Sequence, residues 1–272
     1  STQVEVVVVD NGSTDGTVAM LATHASKLHN ALFVIATEER KGKASALNRG
    51  LAIATGDFLL IVDDDVTMDA RLVIKHLECY QVHPFDAVQG RILPGVDSQG
   101  NPANMSRLRE YNIPLVDYGG DFREIRGLTG TNMSFKRTVF ETVGLFDSRL
   151  GPGASGFSED TEYSMRIRKA GFRIGYTPHA IVYHELDPAR YGREYNRAVE
   201  YRKGMSRSIY RNDSILFRVI PDLVANCFRL GFYRSLGKTQ KAYKTEGRIL
   251  KDCGYLAGRF RRRRLFNTAC AK

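Results

Sequence analysis

Two uninterrupted apolar runs, each closed by acidic residues, restrict most strongly how this chain can fold: residues 4–10 read VEVVVVD and residues 58–65 read FLLIVDDD. Neither shows the in–out alternation of a half-solvated strand, and such runs are expected of parallel strands covered on both faces. Between them, residues 14–29 carry helical periodicity, ALFVIAT (31–37) reads as a strand, and 43–54 as a second helix. This βαβαβ succession predicts an α/β fold with a mostly parallel nucleotide-binding sheet, right-handed crossovers and flanking helices. Ligands in such sheets bind beyond the carboxyl ends of the strands, where Asp10 and Asp63–Asp65 stand.

The pattern continues with a helix over 69–83, the strand DAVQGRILP, a looser stretch at 94–130, the apolar segment TNMSFKR and a helix from about 137. A Gly-rich loop, GPGASGFS (151–158), precedes EDTEYSMRIRKAG, which has acids at a helix start, bases in its last turn and a glycine stop. After GYTPHAIVYHE the chain reads as helical and basic. From Glu185 onward 21 Lys and Arg face 8 Asp and Glu, a net +13, whereas residues 1–184 hold 19 against 22, a net −3. The expected organisation is a catalytic domain at 1–188 and a helical, basic C-terminal extension at 189–272. At 272 residues and 43% hydrophobic content, the chain can bury a sizeable core without disulfides. Its four scattered cysteines lack paired metal-ligand spacing, which predicts a reducing, cytoplasmic location. No run of about 18 uncharged apolar residues is present. The chain begins Ser1-Thr2 and enters a strand almost at once, so an upstream piece is expected to be missing.

Three adjacent carboxylates repel one another, and a fold keeps them in solvent or neutralises them with a cation. Beside a crevice they suit Mg²⁺ or Mn²⁺, and extended geometry turns Asp63 and Asp65 to one side and Asp64 to the other. A solvated turn before the next helix is the plainer alternative. The loop DNGSTDGT (10–17) offers Asp10, Asn11, Ser13 and Asp15 as polar contacts for a base or ribose, or simply as caps of a strand-to-helix turn. In ERKGKASALNRG, Arg40, Lys41 and above all Lys43 stand at a helix N-terminus, where cations and backbone donors suit a diphosphate.

Taken in order, these three segments resemble the inverting family 2 glycosyltransferases, which have a type A nucleotide-sugar-binding fold. The resemblance extends through GLTGTNMSFKR (127–137), FDSRLGPG (146–153), EDTEYSMRIRKAGF (159–172) and Tyr183-His184-Glu185, covering roughly residues 4–210. It implies that Asp10 contacts the nucleoside, with Asn11, Ser13 and Asp15 beside it. Lys43 and Asn48 belong to the donor side, and Asp63, Asp64 and Asp65 to the metal and diphosphate. His184 completes the Mn²⁺ or Mg²⁺ site with Asp63 and Asp65. Gly130, Thr131 and Asn132 line the donor sugar and acceptor, Asp160 is the catalytic base with Glu159 as its alternate, and the 151–158 loop closes over the site.

The implied reaction is metal-dependent, inverting transfer of one sugar from a nucleotide-sugar, a UDP-sugar first, to a hydroxyl of a polysaccharide or lipid-linked glycan in cell-envelope synthesis. Members of the family normally begin with one more strand and helix, so sheet continuity is expected to suffer here. The chain has no tryptophan and no Gln-x-x-Arg-Trp motif, which argues against a processive polymerase. Apolar residues interleaved with arginines over 215–264 suggest peripheral contact with an anionic membrane on its cytoplasmic face. The rival readings are a catalytically silent scaffold and a nucleic-acid binder using the basic tail; the acidic motifs speak against nucleic acid.

Overall fold

The computed structural model describes residues 3–25, 32–97, 114–187 and 192–269, together with Gly100 and Arg190, and the side chains of α8 as far as Arg261. Its elements run β1 (Glu5–Asp10), α1 (Thr17–Ala25), β2 (Leu32–Thr37), α2 (Lys43–Ile53), β3 (Phe58–Val62), β4 (Val66–Met68), α3 (Leu72–Val82), β5 (Ala87–Asp97), β6 (Arg123–Glu124) and β7 (Asn132–Lys136). Then follow α4 (Arg137–Val143), α5 (Glu159–Lys169), β8 (Ile174–Leu186), α6 (Arg193–Tyr210), a π-helical turn (Ile215–Val219), α7 (Ile220–Ser235) and α8 (Thr239–Ala269). Of the helix expected at 14–29, Thr17–Ala25 is helical and residues 26–31 lie outside the described set, as does most of 98–113.

The expectation of a mostly parallel sheet is wrong. β1 and β2 pair in parallel, but as a two-stranded sheet of their own. The main sheet has the order β3-β7-β5-β8-β4, with β6 also on β8, and only its β5–β8 pair is parallel. The reason is physical: burial on both faces erases alternation whichever way the neighbouring strand runs, so an apolar run marks a covered strand without reporting its direction. NMSFK of β7 inserts antiparallel to both β3 and β5, and β4 folds back antiparallel to β8. Among the described residues no hydrogen-bonded ladder joins the two sheets, so β1 and β3 each keep one unpaired edge.

This order places the aspartate triplet. β3 and β4 stand at opposite ends of the main path, yet only Asp63–Asp65 lie between them. Four inter-strand steps in a flat sheet would amount to ~19 Å, whereas four peptide units reach at most about 14 Å. The sheet therefore curls, and the triplet bridges its closing end. Beneath it lies a core of Leu59, Met133, Phe135, Phe146, Tyr163, Ile167 and Ile174. The Phe146 and Tyr163 rings stack with centroids 4.0 Å apart, fixing α5 against the segment before the Gly-rich loop.

Helix α5 forms where the sequence suggests. Glu159, Asp160 and Glu162 occupy its first turn and Arg166, Arg168 and Lys169 its last, matching the helix dipole, and Gly171 ends it at φ +88°. The three long C-terminal helices form a layer in which α8 packs on both α6 and α7. The α6–α8 crossing is close enough that a Cβ on Gly254 would fall 2.0 Å from the Tyr201 carbonyl, and one on Gly204 2.0 Å from that of Lys251.

Candidate active site

The candidate residues gather where α2, the end of β3, the start of β7 and the start of α5 converge. Lys43, the first residue of α2, directs Nζ to Asp63 Oδ1 in an ion pair. Thr131 Oγ1 donates to the other Asp63 oxygen at 2.8 Å. The Gly130 N–H points to Asp160 Oδ2 at 3.3 Å, and a Cβ on Gly130 would lie 3.3 Å from Lys43 Nζ. A side chain at 130 would thus crowd the ammonium. Asp64 is exposed while Asp63 and Asp65 are half-buried, and the backbone bends at Asp64 and Asp65 between β3 and β4 instead of running on as a strand.

Electrostatics couples the same groups. Glu159, 6% exposed, is pushed up to about 7 by burial and by the neighbouring Asp160, against the pull of Lys43. Burial also raises Asp160, against the Thr161 and Gly130 N–H donors and the Lys43 ammonium. Burial opposes the charge on Lys43, but Asp63, assisted by Glu159 and Asp160, outweighs it and holds the ammonium above its ordinary range. A carboxylate raised toward neutrality is able to take up a proton, which one at its ordinary value near 4 does poorly at neutral pH.

The Gly-rich loop docks on this cluster. The Lys43 N–H donates to Pro152 O at 2.9 Å, so one free donor at the start of α2 is taken by the loop. Gly153, at φ +82°, sits where a Cβ would lie 2.7 Å from the Gly42 Cα. Ser158 precedes α5 in the left-handed region at φ 80°, a conformation that costs a non-glycine residue about 1 kcal/mol or more. That turn sends Glu159 inward toward Gly151.

Beside the cluster, Asp65 Oδ1 is buried without a hydrogen-bond donor, and His184 Nε2 stands 3.5 Å from it. His184 is 1% exposed and its Nδ1 lies 2.8 Å from the Glu185 carbonyl, which must accept, so Nδ1 carries the proton. Nε2 then presents a lone pair to a carboxylate oxygen, and two acceptors facing each other call for a proton or a cation between them. The Asp65–His184 pair accordingly fits a divalent cation. Among the described residues no set of three or more His, Cys, Asp or Glu is arranged around a metal position. Asp63 is turned to Lys43 and Thr131, and Arg190 holds Asp65 Oδ2 at 3.3 Å.

The β1–α1 loop lies alongside. Asp10 accepts from the Gly12 and Ser13 N–H groups at 3.3 and 3.2 Å, while Asp15 caps α1 through Thr17 N at 3.0 Å. Asn11 donates to the Glu38 and Arg40 carbonyls and accepts from Gly42 N at 2.8 Å, tying the loops that follow β1 and β2. Asn48 clamps both backbone groups of Phe146, at 2.9 and 2.8 Å. Asn132 is fully buried: its amide donates to the Arg91 and Ala180 carbonyls and accepts from His76 Nε2 at 2.9 Å.

The model of a family described as "Glycosyl transferase family 2" matches residues 1–144. The chain belongs to this family. "Probable glycosyltransferase YdaM" of Bacillus subtilis (strain 168) is 27% identical over 192 residues, which make up 67% of this chain and 43% of the relative. "Poly-beta-1,6-N-acetyl-D-glucosamine synthase" of Staphylococcus aureus (strain COL) is 24% identical over 213 residues, 76% of this chain and 49% of that one. The chain thus spans about half the length of the curated relatives it matches. Among solved structures, the mannosyltransferase PcManGT of Pyrobaculum calidifontis, in complex with GDP-Man and Mn²⁺, superposes with a TM-score of 0.58 at 21% identity. The match covers 94% of this chain and 77% of that one, and it is a likeness of fold.

Within this family 2 chain, three positions escaped sequence reasoning. Arg190 joins Asp65 across 125 residues of chain, and no local pattern reports such a pairing. Gln89 and His76 brace the 129–132 segment: Gln89 Oε1 accepts from Thr129 N at 2.6 Å, and His76 Nδ1 meets Ser134 Oγ at 2.8 Å. Burial lowers His76 to about 4, keeping its ring neutral. Both left a signal, being polar side chains inside apolar stretches, DAVQGRILP and LVIKHLECY, where a buried polar group demands a partner.

Proposed function

We propose that the chain carries out inverting transfer of a single sugar from a nucleotide-sugar donor, a UDP-sugar first, to a hydroxyl of a glycan or lipid-linked glycan during cell-envelope synthesis, at the cytoplasmic face of the membrane. The observation that carries this reading is the convergence of Asp160 and Glu159, both raised by burial, on the position faced by Lys43 and Asp63. In the proposed reaction the acceptor oxygen bonds to the anomeric carbon as the bond from that carbon to the diphosphate oxygen breaks. The hydroxyl proton passes to Asp160, and the electron pair leaves with the nucleoside diphosphate. General-base assistance of this kind is worth about 10²–10⁴ in rate. Glu159 sets the charge beside the base and is the alternate acceptor.

Lys43 is assigned to the leaving diphosphate, whose negative charge would share the ammonium with Asp63. Asp65 and His184, with Asp63 adjoining, would hold Mn²⁺ or Mg²⁺, which supplies charge neutralisation of the diphosphate. Asp10, Asn11, Ser13 and Asp15 are assigned to the nucleoside side. Gly130 and Thr131 are assigned to the donor sugar, with Asn132 and Asn48 holding their segments in position and Asp64 facing solvent at the rim.

The test is release of nucleoside diphosphate from a panel of UDP-, GDP- and dTDP-sugars with Mn²⁺, glycan and lipid-linked acceptors, and an Asp160→Asn control. Acceptor-dependent release that the substitution lowers by about 10²-fold or more is the expected result. Full activity in the variant would remove Asp160 from the role of base. Absence of release with every donor, from protein of native circular dichroism, would make the chain a silent scaffold.

A further inference from the structure

Helix α7 has two apolar faces, and the described residues cover one of them. Val219 is buried, and Leu223, Asn226, Leu230 and Tyr233 are buried or half-buried on the side packed against α8. On the other side Ile220, Val224, Phe228 and Phe232, four residues apart and therefore one ridge, are 40, 48, 76 and 59% exposed. The π-helical turn continues that ridge with Leu216 at 70% and Phe217 at 88%. Isolated exposed apolar residues need no explanation, but six in a line, two of them phenylalanines more than three-quarters exposed, form a surface suited to an apolar environment.

Charge selects the occupant. Arg218, Arg229 and Arg234 are exposed along α7 and its π-helical turn, and the chain from Glu185 onward carries +13. The Arg218 and Arg234 side chains keep 48 and 58% of their surface while facing Asp213 and Glu246. A second copy of the chain would bring the same positive charge to the contact, whereas a lipid surface with anionic headgroups offers both the apolar layer for the ridge and counter-charge for the arginines. No helix among the described residues is long and apolar enough to cross a membrane. We infer that α7 and its preceding π-helical turn lie in the plane of an anionic bilayer, with the Leu216–Phe232 ridge in the acyl boundary and the arginines at the headgroups. This takes up the membrane location in the proposed function, but it stands on a helix surface remote in sequence from the transfer residues, so its test reads binding rather than turnover.

The test is co-sedimentation of the protein with vesicles of phosphatidylcholine alone and of equal parts phosphatidylcholine and phosphatidylglycerol. The native protein is expected to partition onto the mixed vesicles and to be released by salt, with Phe217→Ser, Phe228→Ser and Phe232→Ser together lowering partition by roughly tenfold or more. Because these side chains are exposed, the triple variant should keep its helical circular dichroism, and Arg229→Glu provides an independent variant with reduced partition. Three results would overturn the inference: unchanged partition of the triple variant, equal binding to neutral vesicles, or a concentration-dependent dimer lost in the triple variant without vesicle binding by the native protein.

Discussion

Replacing Glu159 with glutamine should make the pH dependence of stability differ in a defined direction. Burial and Asp160 raise this carboxyl from 4.5 to about 7, which at ~1.4 kcal/mol per pH unit corresponds to about 3 kcal/mol. The sign follows from when each state ionises. Below pH 4.5 the group is protonated in folded and unfolded chains alike. Between there and about 7 the unfolded chain loses the proton while the folded chain keeps it, so the stabilisation fully present at low pH is lost as pH rises and stays lost above. The glutamine amide of the variant does not titrate in this range. The stability of Glu159→Gln relative to the native chain should therefore rise by about 3 kcal/mol between pH 4 and pH 8. Urea unfolding of both proteins across that range measures the difference, and taking it cancels the carboxylates that do not interact with Glu159. A difference flat within about 0.5 kcal/mol, or one falling with pH, would show that Glu159 ionises normally and that the electrostatic account of the cluster is wrong.

Three further outcomes follow from the same geometry. Where Asp160 acts as base, its pKa, raised by burial, should displace the acidic limb of the kcat/KM profile above the ordinary carboxylate range; a limb within that range would remove Asp160 from the role. Asp65→Asn and His184→Gln should each weaken Mn²⁺ binding by about tenfold or more, read by calorimetry or the Mn²⁺ resonance signal without turnover; unaltered binding in both would exclude the pair as ligands. Gly254→Ala should destabilise the chain by about 1–3 kcal/mol in denaturant, since its Cβ would meet the Tyr201 carbonyl at 2.0 Å; a neutral result would mean that α6 and α8 separate readily.

The apolar runs located β1 and β2 within a residue and β3 within three, because a strand covered on both faces has little choice of composition. They did not report strand direction, which depends on what β7 and β4 pair with from far along the chain. Alternation predicted that Asp63 and Asp65 share a side away from Asp64; the first two are half-buried and Asp64 is exposed in that sense, but over a bend at Asp64 and Asp65 and not over an extended strand. The roles of Asn11 and Asn48 were less legible. An amide that ties two loops and one that binds a ligand look alike in sequence, and here Asn11 joins the Glu38 and Gly42 segments while Asn48 holds Phe146. Ser158 is a similar case: nothing in GFSED announces a left-handed residue, yet that turn aims Glu159 inward.

Charge balance links these features. Asp63, Asp65, Glu159 and Asp160 share a small region in which, among the described residues, Lys43 pairs with Asp63 and Arg190 with Asp65. Fully ionised, the set carries two excess negative charges, and the diphosphate of the proposed donor would add more. A partly buried region cannot hold that imbalance at the low effective dielectric of a protein. Two outlets are built in: Glu159 holds a proton up to about pH 7, and the Asp65–His184 pair leaves facing acceptors that a cation would satisfy. Proton uptake serves the free chain and cation uptake the proposed donor complex, so binding of a nucleotide-sugar and of Mn²⁺ should each strengthen the other. Equal Mn²⁺ affinity with and without saturating donor would break that link.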